Sequence, residues 1–161
     1  MVFVAVGTQK FQFDRLLKTI DLCIEKGVLS KDVFAQIGNS TYSPKNYQCK
    51  DFLSKDEFLE LIEKADLVIT HSGVGTIIEA ITRKKSVIVM PRLARFGEHV
   101  DDHQVQIAEA FEKQNLVLKC DESSLPNVIV KSKTHVFAEY VSGQKKALDV
   151  IREYLRKVNI S

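Results

Sequence analysis

The feature that most constrains this chain is a series of short apolar runs, each stopped by a glycine, a proline or a polar cluster. Val2–Val6, Val33–Ile37, Leu67–Thr70, Ser86–Met90 and Leu116–Leu118 are too short for helices. They are also too continuously apolar for strands with one wet face, so they predict buried parallel strands. Helix-periodic stretches lie between them. From Phe11 to Lys26 the apolar residues Phe13, Leu16, Leu17, Ile20 and Ile24 recur at helical spacing, and Gly27 supplies a stop. Ser54 and Glu57 form a capping-box pattern ahead of Phe58, Leu59 and Ile62. Further helices are predicted over about Thr76–Arg83, over Asp102–Gln114 and, as a closing amphipathic helix with Leu148, Ile151, Tyr154 and Leu155 on one side, over about 145–157. Arg92–His99 reads as an irregular loop. Strand and helix in alternation imply an α/β fold, a doubly wound parallel sheet of Rossmann-like type.

Length and composition narrow the rest. The chain has 161 residues, 45% of them hydrophobic, which suits one domain over 1–161 with a single proper core. Its 23 basic and 21 acidic side chains are interspersed and leave a formal charge of +2, so no field for a nucleic-acid partner is expected. Cys23, Cys49 and Cys120 are odd in number and widely spaced, which argues against a disulfide framework and for a reducing, cytoplasmic setting. The apolar start ends at Gly7 after too few residues for a signal segment, and no run is long enough to span a membrane. Membrane association is therefore expected only peripherally, at the inner face and through a partner.

In a sheet of this kind ligands bind beyond the carboxyl ends of the strands. The turns after Val6, Ile37, Thr70 and Met90 are thus the places to look. Gly7-Thr8-Gln9 joins a residue without Cβ to a hydroxyl donor, a pairing that admits an anion. An ordinary strand-to-helix turn accounts for Gly7 equally well. His71-Ser72-Gly73-Val74-Gly75-Thr76 combines two glycines, two hydroxyls and a helix start, which favours a diphosphate. A plain N-cap loop would need just one of those residues. Glu79 lies about one helical turn further on, where a carboxylate can accept the two hydroxyls of a ribose; an isolated surface glutamate is the commoner case. The segment Glu98–Gln106 is dense in hydrogen-bonding side chains, suited to a sugar. His99 and His103 with Asp101 or Asp102 also permit a metal, but their spacing crosses a helix start, so no metal is expected. Either aspartate can serve as that helix's N-cap.

Taken together, Gly7-Thr8-Gln9, Gln36-Ile-Gly-Asn-Ser40, the block from His71 to Glu79, and Asp102-His-Gln-Val-Gln106 resemble a known family. It is the glycosyltransferase family 28 C-terminal domain, shared by the peptidoglycan-precursor N-acetylglucosaminyltransferase and the eukaryotic dolichol-linked UDP-GlcNAc transferase catalytic subunit. The resemblance runs from Met1 to about Gln114; its specific part is H-S-G-x-G-T-x-x-E followed by D-H-Q. In length and opening the chain is most similar to bacterial stand-alone subunits of capsule and exopolysaccharide galactosyltransferases, which work beside a membrane-associated partner.

The resemblance implies one half of a GT-B enzyme that binds a UDP-sugar, UDP-galactose or UDP-N-acetylglucosamine. It implies transfer of the hexose with inversion to a lipid-linked saccharide in polysaccharide biosynthesis. It places the diphosphate at Gly7, Thr8, Ser72, Gly73, Gly75 and Thr76, and the ribose at Glu79. It places the uracil at Phe52 and Leu53, chiefly on backbone, and the sugar at His103, Gln104 and Gln106. No cofactor or metal is implied, and His103 is the one catalytic candidate. The amino-terminal acceptor domain of the single-chain members has no counterpart here, so the catalytic base and the acceptor site are expected on a membrane-associated partner subunit. A non-catalytic UDP-sugar-binding module that enhances a partner transferase is the alternative.

Overall fold

The computed structural model describes residues 1–140; the closing helix expected over about 145–157 lies outside them. Six strands form one parallel sheet: β1 (Val2–Ala5), β2 (Val33–Gln36), β3 (Gln48–Lys50), β4 (Leu67–Thr70), β5 (Ser86–Val89) and β6 (Leu118–Lys119). Their order across the sheet is β3-β2-β1-β4-β5-β6, the doubly wound arrangement the alternating pattern implies. β1 pairs with β2 through Val2↔Val33 and with β4 through Val2↔Leu67, so the chain reverses its winding direction on either side of β1.

Side-chain alternation along the strands builds a core on each face. Val4 and Val6 join Ala35, Ile69, Ile88 and Met90 on one face, covered by α1 (Asp14–Glu25) through Leu16, Leu17 and Ile20 and by α5 (Leu125–Ser132) through Leu125 and Ile129. Phe3 and Ala5 join Val68, Val87 and Val89 on the other, covered by α2 (Lys55–Lys64), α3 (Val74–Thr82) and α4 (His103–Lys113) through Ile62, Ile77, Ala80 and Phe111. With both faces covered, ligands reach the sheet at its ends, and the carboxyl end is where a doubly wound sheet binds them.

Several boundaries differ from the periodicity. α1 begins at Asp14 rather than near Phe11, because the carbonyls of Phe11 and Gln12 are taken by the Arg92 guanidinium and the Phe13 N–H donates to Ser40 Oγ at 3.0 Å. α3 begins at Val74, two residues before the expected Thr76, with Gly73 as its N-cap. The expected loop at 92–99 contains a short 3-10 turn, Ala94–Phe96. β6 is shifted to Leu118–Lys119, where it pairs with Ile88 and Val89. β3 and α5 carried no clear signal. β3 is an exposed edge strand without apolar alternation, and α5 is eight residues rich in valine and isoleucine, with Pro126 in its first turn. The capping box of α2 forms as expected: Ser54 Oγ accepts from the Glu57 N–H at 3.1 Å and the Glu57 carboxylate accepts from the Ser54 N–H at 2.8 Å.

Candidate functional site

The reversal between β1 and β4 opens a cavity of about 480 Å³ at the carboxyl edge, lined by Gly7, Thr8, Gln9, Gln36, Leu53, Ser54, Lys55, Phe58, His71, Gly73, Gly75 and Thr76. Two separate turns meet here because β1 and β4 are neighbours: Gly7–Gln9 leaves β1 and His71–Gly73 leaves β4. Leu53 to Lys55 close the third side from the start of α2. Of the residues expected to meet the ligand, Gly7, Thr8, Leu53, Gly73, Gly75 and Thr76 line this one cavity.

Gly7 is held in the left-handed region, at φ 83°, by Gln36 at the end of β2. Gln36 Oε1 accepts the Gly7 N–H at 3.1 Å, while its Nε2 donates to the Gly7 carbonyl at 2.9 Å and to that of Asp51 at 3.0 Å. The Gly7 amide is therefore occupied, and the glycine is needed for another reason. A Cβ here would stand 2.5 Å from His71 Nε2, and one on Gly73 would stand 2.5 Å from both Nε2 and Cε1. Real Cβ atoms are not found so close to another heavy atom. The His71 ring is thus admitted between two glycines.

His71 is 4% exposed, and Nδ1 lies 3.1 Å from Gln104 Nε2. Burial, with the Arg92 cation second, pushes its pKa down to about 3, so the ring is neutral near pH 7. The remaining donors come from α3. Helix geometry leaves the N–H groups of Val74, Gly75 and Thr76 without intrahelical acceptors, the first helical bond being Ile77 N–H to Gly73 O at 3.0 Å. Gly75 and Thr76 at that N-terminus, the positive end of the helix dipole, Thr8 and Lys55 line one concave surface, a setting suited to an anion such as a diphosphate.

Other expected residues lie beside the cavity lining. Ser72 is buried, with its N–H on Gln104 Oε1 and its Oγ without a partner among the described residues. Glu79 is one turn further along α3, 40% exposed and ion-paired to Arg83. Phe52 is half-exposed next to Leu53. Gln104 is buried with its amide spanning His71, Ser72 and Arg92. His103 lies at the start of α4 with Nδ1 2.5 Å from Asp101 and Nε2 buried without a partner among the described residues. Gln106 Oε1 is likewise buried and unpartnered among the described residues. Asp102 is the N-cap of α4 by position, yet its side chain accepts from Ala94 N–H at 2.9 Å. It is Asp101 that accepts from the His103 N–H, at 3.0 Å. Burial works against ionisation of Asp101, but the backbone and ring hydrogen bonds from His103 outweigh it and hold the carboxyl below its usual range.

The site rests on a charged scaffold that the sequence did not announce. Arg92 is fully buried, and its guanidinium donates to the carbonyls of Phe11, Gln12, Glu98 and Val6. Burial pushes its pKa down to about 10, which still leaves a cation at neutral pH. Glu98, 1% exposed at its side chain, accepts from Arg15 at 2.9 Å. Arg92 thereby ties the end of β1, the loop before α1 and the loop before α4 into one unit behind the cavity. Gln36 and His71, although part of the sequence motifs, carried no role of their own there. The signals available were a polar residue closing an apolar strand, and a histidine directly ahead of Ser72-Gly73.

Residues 1–152 match the model of the glycosyltransferase family 28 C-terminal domain. The chain belongs to that family. A curated relative is the UDP-N-acetylglucosamine transferase subunit ALG13 of Homo sapiens, 30% identical over 132 residues that cover 74% of this chain and 11% of that protein. Another is the UDP-N-acetylglucosamine–N-acetylmuramyl-(pentapeptide) pyrophosphoryl-undecaprenol N-acetylglucosamine transferase of Prochlorococcus marinus (strain MIT 9215), 33% identical over 112 residues, covering 62% of this chain and 30% of that one. This family 28 chain thus spans a minor part of the length of both relatives. Among solved structures, the solution NMR structure of ALG13 superposes with a TM-score of 0.62 at 19% identity, covering 96% of each chain. The crystal structure of Acinetobacter baumannii MurG superposes with a TM-score of 0.58 at 16% identity, covering 95% of this chain and 49% of that one. In fold, the family 28 domain described here corresponds to about half of that larger chain, as one half of a GT-B architecture does.

Proposed function

We propose that this chain is the donor-binding subunit of a family 28 hexosyltransferase that takes a UDP-sugar. The observation that carries the proposal is the convergence of the His71 ring, the α3 N-terminus, Thr8 and Lys55 on one cavity at the winding reversal of the sheet. Donors and positive charge fixed in place stabilise the negative charge that grows on a departing UDP. Leu53 and Phe58 give the same cavity an apolar wall for a flat base, next to Phe52. Glu79, one turn along α3, is the proposed ribose ligand, and its release from Arg83 would accompany binding. His103 and Gln106, whose buried polar atoms lack partners among the described residues, are proposed to face the sugar.

The names of the relatives support N-acetylglucosamine as the transferred sugar, ahead of galactose. The same names, a transferase subunit and a transferase acting on an undecaprenol-linked substrate, support a lipid-linked saccharide acceptor and a partner subunit at the membrane. Among the described residues no helix is long and apolar enough to cross a membrane, so such a partner supplies the anchorage in this proposal. It also supplies the base that deprotonates the acceptor hydroxyl.

The test is transfer of labelled sugar to a lipid-linked acceptor, measured for the chain with and without its partner. Transfer by the pair that is abolished in Glu79→Ala and His103→Ala, with the pair still assembled, is the expected result. Undiminished transfer in both variants would overturn the catalytic-subunit assignment in favour of an accessory binding module, and full-rate transfer by the chain alone would overturn the division of labour.

A further inference from the structure

Gln104 is 3% exposed, and its amide has a single possible orientation. Oε1 accepts the Ser72 N–H at 3.1 Å and the Arg92 N–H at 3.1 Å; a flipped amide would set its NH₂ against both donors. Nε2 is therefore the atom facing His71 Nδ1, and an NH₂ group can only donate. Nδ1 must offer a lone pair, which puts the ring proton on Nε2. That atom is the one wedged between Gly7 and Gly73 at the cavity lining, with no protein acceptor among the described residues. A side chain this deeply buried, with its free donor set between two glycines that line the cavity, is a built feature of the site.

We propose that Gln104 is a positioning residue that locks His71 as a neutral, Nε2-protonated imidazole, so that the ring meets a ligand phosphate as a hydrogen-bond donor at any pH near neutrality. This rests on the reading of the cavity as a UDP-sugar site. The charged or titratable groups acting on the ring are Arg92, from the segment after β5, and His99, from the loop before α4. Burial opposes a second proton most strongly and both of these groups oppose it further; the Gln104 NH₂, which can only donate, leaves a proton on Nδ1 without an acceptor. Positive charge at the site then comes from Lys55 and the α3 dipole, while His71 supplies direction.

Two measurements on the full chain test the proposal. Nitrogen-15 NMR of the wild type reports the tautomer directly: Nε2–H is expected, and either Nδ1–H or an imidazolium at neutral pH would overturn the lock. The second uses Gln104→Glu, whose carboxylate keeps both backbone bonds but accepts from Nδ1. The ring must then turn a lone pair toward the phosphate or take up a second proton. UDP-N-acetylglucosamine is the probe, because its phosphates do not titrate in this range.

His71 is expected to add no pH dependence to wild-type affinity between about pH 6 and 8, and His103 is common to both proteins, so the variant is read against the wild type at each pH. The Gln104→Glu affinity is expected to be about 10- to 100-fold weaker at the upper end and to recover as pH falls. A variant that binds with the same affinity and pH profile as the wild type would refute the positioning role. A wild type that carries Nε2–H and binds no UDP-sugar would refute the donor-site reading while leaving the tautomer lock standing. An Nδ1–H ring in a chain that does bind would refute the lock alone.

Discussion

Gly73→Ala and Gly75→Ala place the same methyl group two residues apart and should move stability in opposite directions. Gly73 has φ −77° and ψ 116°, which alanine adopts without strain, so the substitution acts through space alone. Its Cβ would stand 2.5 Å from two atoms of the His71 ring, whereas carbon atoms settle at about 3.5–4.0 Å. The ring has to move by about 1 Å. It has nowhere to go, because the backbone of Gly7 holds its other side and Gln104 holds Nδ1. Overpacking of this kind costs about 1–3 kcal/mol, and loss of the Gln104 hydrogen bond adds about 1 kcal/mol, giving about 2–4 kcal/mol in all.

At Gly75, in the first turn of α3, a Cβ meets nothing within 4 Å. Alanine there removes the entropic penalty of a helical glycine and should stabilise by about 0.5–1 kcal/mol. Urea unfolding resolves the pair. With a slope of about 2 kcal/mol/M, the midpoint should fall by about 1–2 M in Gly73→Ala and rise by about 0.3–0.5 M in Gly75→Ala. A Gly73→Ala midpoint within about 0.3 M of the wild type would show that the ring is not confined as described.

Other perturbations probe the scaffold. Arg92→Leu leaves the carbonyls of Val6, Phe11, Gln12 and Glu98 without their donor inside the core, and should cost about 3–5 kcal/mol with little rescue by Arg92→Lys, whose ammonium cannot reach all four; chemical denaturation measures it. For His71, burial holds the folded ring's pKa down at about 3, against an ordinary histidine value of about 6.5, so the unfolded chain binds more protons between these values. Stability should therefore fall as pH drops below about 6.5, with a slope approaching 1.4 kcal/mol per unit. Urea midpoints compared at about pH 7 and 5 should show the loss in the wild type and a much smaller one in His71→Gln. Ser54→Ala removes the hydroxyl that caps α2 and should cost about 1 kcal/mol, read as a lowered unfolding midpoint.

The sequence made the scaffold legible where burial and periodicity coincide. The central strands are buried on both faces, so their apolar runs stand out, and the Ser54–Glu57 cap is a local interaction written in four consecutive residues. β3 was hidden because an exposed edge strand needs no apolar alternation. α5 was hidden because β-branched residues in a short stretch do not favour a helix until packing decides. At the site, the glycines and hydroxyls were visible as a group, while their division of labour was not. Gly7 suggested an amide offered to an anion, yet that amide is held by Gln36, a residue 29 positions away brought alongside by the pairing of β1 with β2. His71, Gln104 and Arg92 acquire their roles from contacts between strands and loops distant in sequence, which no local pattern records.

Isothermal titration of the chain with UDP, UDP-N-acetylglucosamine and UDP-galactose, with ADP and GDP as controls and Gly73→Ala as the site variant, tests the central claim most directly. The account predicts saturable, uridine-selective binding that is lost when the methyl group displaces His71. Equal affinity for ADP, GDP and UDP, or uridine-selective binding that survives in a folded Gly73→Ala variant, would contradict it.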